Sequence, residues 1–430
     1  MHWSRRVGTT TERKADMRYH AGWPHMGHLP DALMPNVRLL FATACFLACT
    51  MAGAATDDGL PAATRARDLG IPFDGQPGPL NAITDVSGVL VGHTTLIAGS
   101  GKLQMGTGPI RTGVTAILPR GRDSLSNPVF AGWFAQNGNG EMTGAAWVEE
   151  SGFLEGPVMI TNTHSVGVVR DAVIQWRVAQ GNADASGYWW SLPVVAETWD
   201  GWLNDINGFH VKPEDAFHAL DGAHAGPVEE GSVGGGTGMI CNGYKGGIGT
   251  SSRRLEAKDG GYMVGVLVQC NYGTRNNLRI AGIPVGREIP APEPYAFIPS
   301  DIAEHGSIIV VVATDAPLLA HQLKRVAHRV TLGLGRNGSI SGNESGDIFI
   351  AFSTANSGAA TVVGQPADLK MLPNDSLDAV FQATVEATEE AIVNAMIAAR
   401  DMTGVDDHRV IAIPHDALRA VLKKYRRLTR

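Results

Sequence analysis

The chain has 430 residues, 44% of them hydrophobic, with 53 glycines and a formal net charge of -7. That is enough apolar material for one large α/β domain or two smaller ones, with many turns and close backbone approaches. The mild acidity offers no basic groove for nucleic acid or for a membrane surface, and the Lys423-Lys424-Tyr425-Arg426-Arg427 run reads as a solvated tail.

In chain order, residues 1–33 are polar and irregular, and His2, His20, His25 and His28 match no metal-ligand spacing. Residues 34–54 change character. Arg38 precedes an apolar run from Leu39 to Cys49, followed by Ala52-Gly53-Ala54-Ala55. This is the order of a signal peptide cut after Ala54, too short for a membrane span, and it predicts export to the periplasm or beyond. Residues 55–66 form a linker. Of the four cysteines, Cys241 and Cys270 would remain after export; they make no disulfide framework, and buried thiols are expected, with a single bridge as the alternative.

From residue 67 the pattern is α/β. Apolar runs predict strands over 112–119, 158–163 and 263–271, and helices over 168–176 and 193–206. Gly234-Gly235-Gly236-Thr237-Gly238 lacks the Gly-Lys-Ser/Thr ending of a phosphate loop and is read as a site of close packing. No repeat divides the chain, so it reads as one intertwined domain. Further on, His305-Gly306-Ser307 runs into the apolar Ile308 to Ala313, then Asp315 and Pro317, which together predict a buried strand leading to a helix capped by Asp315 over 317–334. Ser345-Gly346-Asp347 reads as a turn before another strand, and 377–402 as a helix ended by Gly404.

Ser307 at the head of its strand invites two readings. It is an ordinary strand-edge residue, or it becomes a new N-terminus when the chain cuts itself after Gly306. A small residue before the serine lets its hydroxyl reach the preceding carbonyl, and a rigid strand behind it holds the nucleophile still. Gly249-Thr250 is a rival bond, without a long buried strand directly behind it.

The stretch from Ser307 to Leu319 resembles the start of the small chain in the self-processing L-aminopeptidase/D-Ala-esterase/amidase family, which includes the β-peptidyl aminopeptidases. The likeness runs from about Arg67 to about Ile413. It implies an αββα sandwich like that of N-terminal-nucleophile hydrolases, cut into a large part (67–306) and a small part (307–430). The free amine of Ser307 would serve as base for its own hydroxyl, since an α-amine titrates near about 7.7–8.0. The resemblance also implies that Ser345 and Asp347 orient the nucleophile and that Asn271 donates to the oxyanion. Lys245 matches a lysine that looks functional in related hydrolases. Trp199 stands in Glu197-Thr198-Trp199-Asp200-Gly201 where many relatives carry tyrosine; indole donates but cannot accept, which alters the pocket. Glu141, Glu149, Glu150 and Glu197 are candidates to bind a substrate amine.

The function expected is an exported serine aminopeptidase acting on small peptides, amides or esters of L-, D-Ala or β-residues. Neither metal nor organic cofactor is implied, and processed pairs are expected to assemble into homo-oligomers. The alternatives are an acyltransferase on the same scaffold and an uncleaved periplasmic ligand-binding protein.

Overall fold

The computed structural model describes residues 64–181, 190–290 and 305–429. The extension over 1–33, the signal-peptide pattern over 34–54 and most of the linker lie outside the described residues. In chain order the strands are β1 (Leu90–Ala98), β2 (Ile110–Arg122), β3 (Val129–Ala135), β4 (Phe153–Leu154), β5 (Val158–Asn162) and β6 (Val194–Thr198). There follow β7 (Ile240–Cys241), β8 (Tyr244–Lys245), β9 (Gly247–Arg254), β10 (Met263–Asn271), β11 (His305–Thr314) and β12 (Glu344–Ser353). The helices are α1 (Ala145–Ser151), α2 (Val166–Ala179), α3 (Pro213–Asp221), α4 (Val285–Glu288), α5 (Ala320–Arg336), α6 (Asp378–Ile397) and α7 (His415–Lys424).

Two sheets carry the architecture, ordered β1-β2-β5-β6 and β4-β3-β12-β11-β10-β9. Three apolar cores separate four layers. Ile117, Ile160 and Ala196 of the first sheet meet Leu267, Ile309 and Ile350 of the second between the sheets. Val169 and Val173 of α2 and Ala216 and Leu220 of α3 cover the outer face of the first sheet against Val114, Ala116 and Met159. Val326 and Val330 of α5 and Ala391 and Ala395 of α6 cover the second against Val268, Val310 and Phe349. This is the αββα sandwich the resemblance implies, and strands before and after Ser307 interleave within one sheet, as a single intertwined domain requires.

Four expectations change; the helix read over 377–402 ends at Ile397, and Met402–Thr403 is a short strand instead. Residues 193–206 contain no α-helix: Val194–Thr198 is a strand parallel to β5, with every residue buried. A strand covered on both faces loses the alternation that would have marked it, and a short apolar run cannot be told from helix by period. The helix after β11 starts at Ala320, because Asp315 does not cap it but accepts the Met263 N–H at 2.8 Å, while Gln322 Oε1 accepts the Leu319 N–H at 3.1 Å. Cys241 and Cys270 are not free thiols. They form a disulfide, because β7 brings Cys241 beside the end of β10 with the Cα atoms 5.5 Å apart.

The Gly234–Gly236 turn packs against the first sheet, its N–H groups donating to Thr95 and Thr115 hydroxyls, as close packing requires. At the C-terminal end the basic run is partly ordered: α7 includes Lys423 and Lys424, and Glu288 accepts from Lys424 and from the Tyr425 hydroxyl.

Candidate active site

A cavity of about 780 Å³ opens at the head of β11, lined by Gly138, Asn139, Gly140, Glu141, Thr163, Glu197, Trp199, Gly306, Ser307 and Glu344. Ser307 is 5% exposed. Strand alternation puts its side chain on the inter-sheet face with Ile309 and Val311. The antiparallel pairing of β10 and β11 sets Asn271 directly opposite Ser307. On the other side the parallel pairing of β11 and β12 sets Gly346 opposite Ser307, and the Gly346 N–H donates to Ser307 Oγ at 3.1 Å.

Asn271 is held at both ends of its amide. Its Oδ1 accepts the Ile240 N–H at 2.7 Å, and its Nδ2 donates to the Trp199 carbonyl at 2.9 Å. Asn271 Nδ2 also lies close to Gly306. Gly306 itself has φ of +107°, and a Cβ there would sit 1.8 Å from the Asn271 carbonyl oxygen and 3.2 Å from Asn271 Nδ2. Only glycine fits that approach.

Ser345 and Asp347 lie inside β12 rather than in a turn. The Ser345 hydroxyl donates to Asp347 Oδ1 at 2.5 Å, and both residues are fully buried. They flank Gly346, so the pair borders the backbone of Ser307; by alternation their side chains leave β12 on the face of Phe349 and Ala351, opposite that of Ser307 Oγ. The Asp347 N–H donates to Asn137 Oδ1 at 2.7 Å, which ties the 137–141 loop to the same strand.

Of the four acids considered for a substrate amine, two reach the cavity. Glu197 is 3% exposed; its Oε1 accepts the Glu141 N–H at 3.0 Å and its Oε2 the Thr163 hydroxyl at 2.5 Å. Burial pushes its carboxyl up, against those two hydrogen bonds, which favour the charged form. Glu141 is exposed on the cavity wall. Glu149 instead pairs with Lys324 at 2.6 Å, and Glu150 is exposed on α1 away from the lining. Trp199 is 43% exposed and forms part of the wall.

Lys245 is not part of the cavity lining. It is fully buried, and its Nζ donates to the carbonyls of Met239 at 2.8 Å and Gly246 at 2.9 Å, with that of Gly236 at 3.5 Å. Burial pushes the amine down to about 7. The rival Thr250 sits within β9, its hydroxyl donating to the Val266 carbonyl and accepting the Ile83 N–H. Asn137, Asn139, Thr163 and Glu344 went unremarked as site residues in the sequence reading; the doubled Asn-Gly before Glu141 was the one local signal for the first two.

The model of peptidase family S58 matches residues 81–410. The chain belongs to peptidase family S58. Among S58 relatives, the beta-peptidyl aminopeptidase BapA of Sphingosinicella microcystinivorans is 55% identical over 387 residues, spanning 88% of this chain and 96% of that one. The L-aminopeptidase D-Ala-esterase/amidase of Ochrobactrum anthropi, a serine aminopeptidase described as a variant of the Ntn hydrolase fold, superposes with a TM-score of 0.78 at 50% identity, covering 85% of this chain and 99% of that one. A beta-aminopeptidase of a Burkholderia species superposes at 0.76 with 46% identity, covering 84% and 99%. The S58 chain described here is therefore a hydrolase on an Ntn-type scaffold, and the relatives named are aminopeptidases.

Proposed function

We propose that this S58 chain is an exported serine aminopeptidase that cuts itself between Gly306 and Ser307 and then uses Ser307 as an N-terminal nucleophile. The observation that carries the reading is the position of that bond: it lies in the wall of the cavity, between the Asn271 amide and the Gly346 N–H. Attack of Ser307 Oγ on the Gly306 carbonyl breaks the C–N bond and leaves an ester, with the proton passing to the released amine. Water then cleaves the ester, giving a Gly306 carboxylate and a free Ser307 amine.

In turnover the same hydroxyl attacks the substrate carbonyl while the Ser307 amine takes its proton. The amine or alcohol leaves, and water releases the acyl group. The Asn271 amide faces the developing oxyanion, a contribution of a few kcal/mol, roughly 3 to 4, when such a donor is well aimed. Glu197 and Glu141 supply the negative charge that holds a substrate's free amine. Ser345 and Asp347 border the Ser307 backbone, where they can orient its amine.

The substrate class proposed is peptides and amides with an N-terminal β-residue, supported by the 55% identity to a relative named for β-peptides. Turnover of β-, L- and D-alanyl amides side by side tests it, with rapid-quench mass spectrometry of the small fragment. A transient acyl adduct on Ser307 and fastest turnover of the β-substrate are expected; turnover without any adduct on that fragment contradicts the mechanism. Acyl transfer to an added amine in place of water is read in the same experiment. Export is supported by the 34–54 pattern and by the Cys241–Cys270 bridge, which suits an oxidising compartment. Assembly of the processed pairs into homo-oligomers belongs to the same proposal and is checked by light scattering.

A further inference from the structure

Asp200 is a buried acid that the chemistry above does not use. It follows Trp199 just past the end of β6 and is 1% exposed. One carboxylate oxygen accepts from Asn162 Nδ2 and the other from Asn204 Nδ2, each at 3.0 Å, and Asn162 Nδ2 also donates to the Thr112 hydroxyl at 2.8 Å. Both amides are fixed from behind: Asn162 Oδ1 accepts the Ser165 N–H at 2.9 Å, and Asn204 Oδ1 accepts the Arg111 N–H at 2.8 Å. Flipping either would strand a buried backbone donor. Both therefore present NH₂ groups, and the side chain at 200 must accept from two directions. A carboxylate does so. A neutral amide has one acceptor oxygen and would set its own NH₂ against another.

These partners are all neutral, and burial pushes the carboxyl up to about 6. An acid retained in the interior on neutral hydrogen-bond partners conflicts with stability alone, and such conflicts concentrate at functional sites. Its neighbour shows what it serves. The Trp199 carbonyl is the acceptor that orients the Asn271 amide, and Asp200 is the residue directly after it.

Resting on the Ser307 reading, we propose that Asp200 is a positioning residue: its hydrogen bonds to Asn162 and Asn204 lock the chain at 199–200 so that the Trp199 carbonyl aims the Asn271 amide at the carbonyl under attack. The same device acts in self-cleavage and in turnover.

The full-length chain is compared with Asp200→Asn and with the swap Asp200→Asn/Asn204→Asp, by intact mass over time, by melting temperature and by kcat and KM on a β-aminoacyl p-nitroanilide. In the swap, the acid at 204 accepts from Arg111 N–H with one oxygen and from the new amide at 200 with the other. The single variant should process more slowly and lose about ten-fold or more in kcat, with KM within about two-fold, as for loss of an orienting partner. The swap should recover kcat to within about three-fold of the unsubstituted chain, the signature of a coupled pair. Should the single variant fail to fold, the swap decides alone. An unchanged kcat in Asp200→Asn overturns the proposal, as does a swap that melts like the unsubstituted chain without regaining kcat. An unsubstituted chain that is neither cut nor active overturns the Ser307 reading and this proposal with it, a result distinct from the other two.

Discussion

Gly306 and Lys245 show how differently two sequence candidates turn out once packed. Gly306 is needed small for a steric reason: a Cβ there would sit 1.8 Å from the Asn271 carbonyl oxygen, at a φ that side chains avoid. Gly306→Ala should cost roughly 1–3 kcal/mol in local strain and abolish or greatly slow cleavage, read by mass over hours; normal processing would show that the close approach is not needed. Lys245, in contrast, is engaged with backbone carbonyls outside the cavity lining, and its amine is pushed down to about 7 by burial. With the folded value below the unfolded one, the unfolded chain binds the extra proton between about pH 7 and the ordinary lysine value near 10.4. Stability should therefore rise with pH across that window, by at most about 1.4 kcal/mol per pH unit. Lys245→Met should flatten the slope in pH-dependent chemical denaturation; an unchanged slope would mean that the lysine titrates normally.

At the scale of elements, the register of β10, β11 and β12 sets Ser307 between Asn271 and Gly346. The long apolar runs of β10 and β11 made both strands legible, and so the positions of Asn271 and Ser307 at their ends. That the two residues stand opposite each other was not legible from periodicity, because register depends on partners distant in sequence. Serine, glycine and aspartate are turn formers, so Ser345-Gly346-Asp347 reads as a turn; burial in the end of β12, paired with β11 on one side and held by Asn137 on the other, overrides that propensity. Strand β6 was missed for a related reason, and with it the placement of Glu197 and Trp199. The Cys241–Cys270 bridge is not fixed by the sequence pattern, since nothing in a 29-residue separation brings the two together without β7. The bridge lies beside the Ile240 N–H that holds Asn271, so a Cys241→Ala/Cys270→Ala variant should lose about 3 kcal/mol of stability and some kcat. Equal melting with and without the bridge would contradict this.

For the whole molecule, four layers and an S58 fold followed from the resemblance, whereas periodicity alone reached only an intertwined α/β domain. The interleaving has a physical consequence. Strand β11 pairs with β10 from the large part and β12 from the small part, and β12 pairs in turn with β3. With these ladders and the buried face of α6 shared between the two parts, the cleavage proposed at Gly306 would leave the noncovalent core intact. The fragments should co-elute in gel filtration and separate only in denaturant; dissociation under native conditions would contradict the shared-sheet description. The most direct test of the whole account is the intact mass of the purified chain beside Ser307→Ala under denaturing conditions. The account predicts two fragments from the first, the smaller beginning at Ser307, and one uncut chain from the second. A small fragment beginning at Thr250, or a single intact chain in both samples, would contradict it.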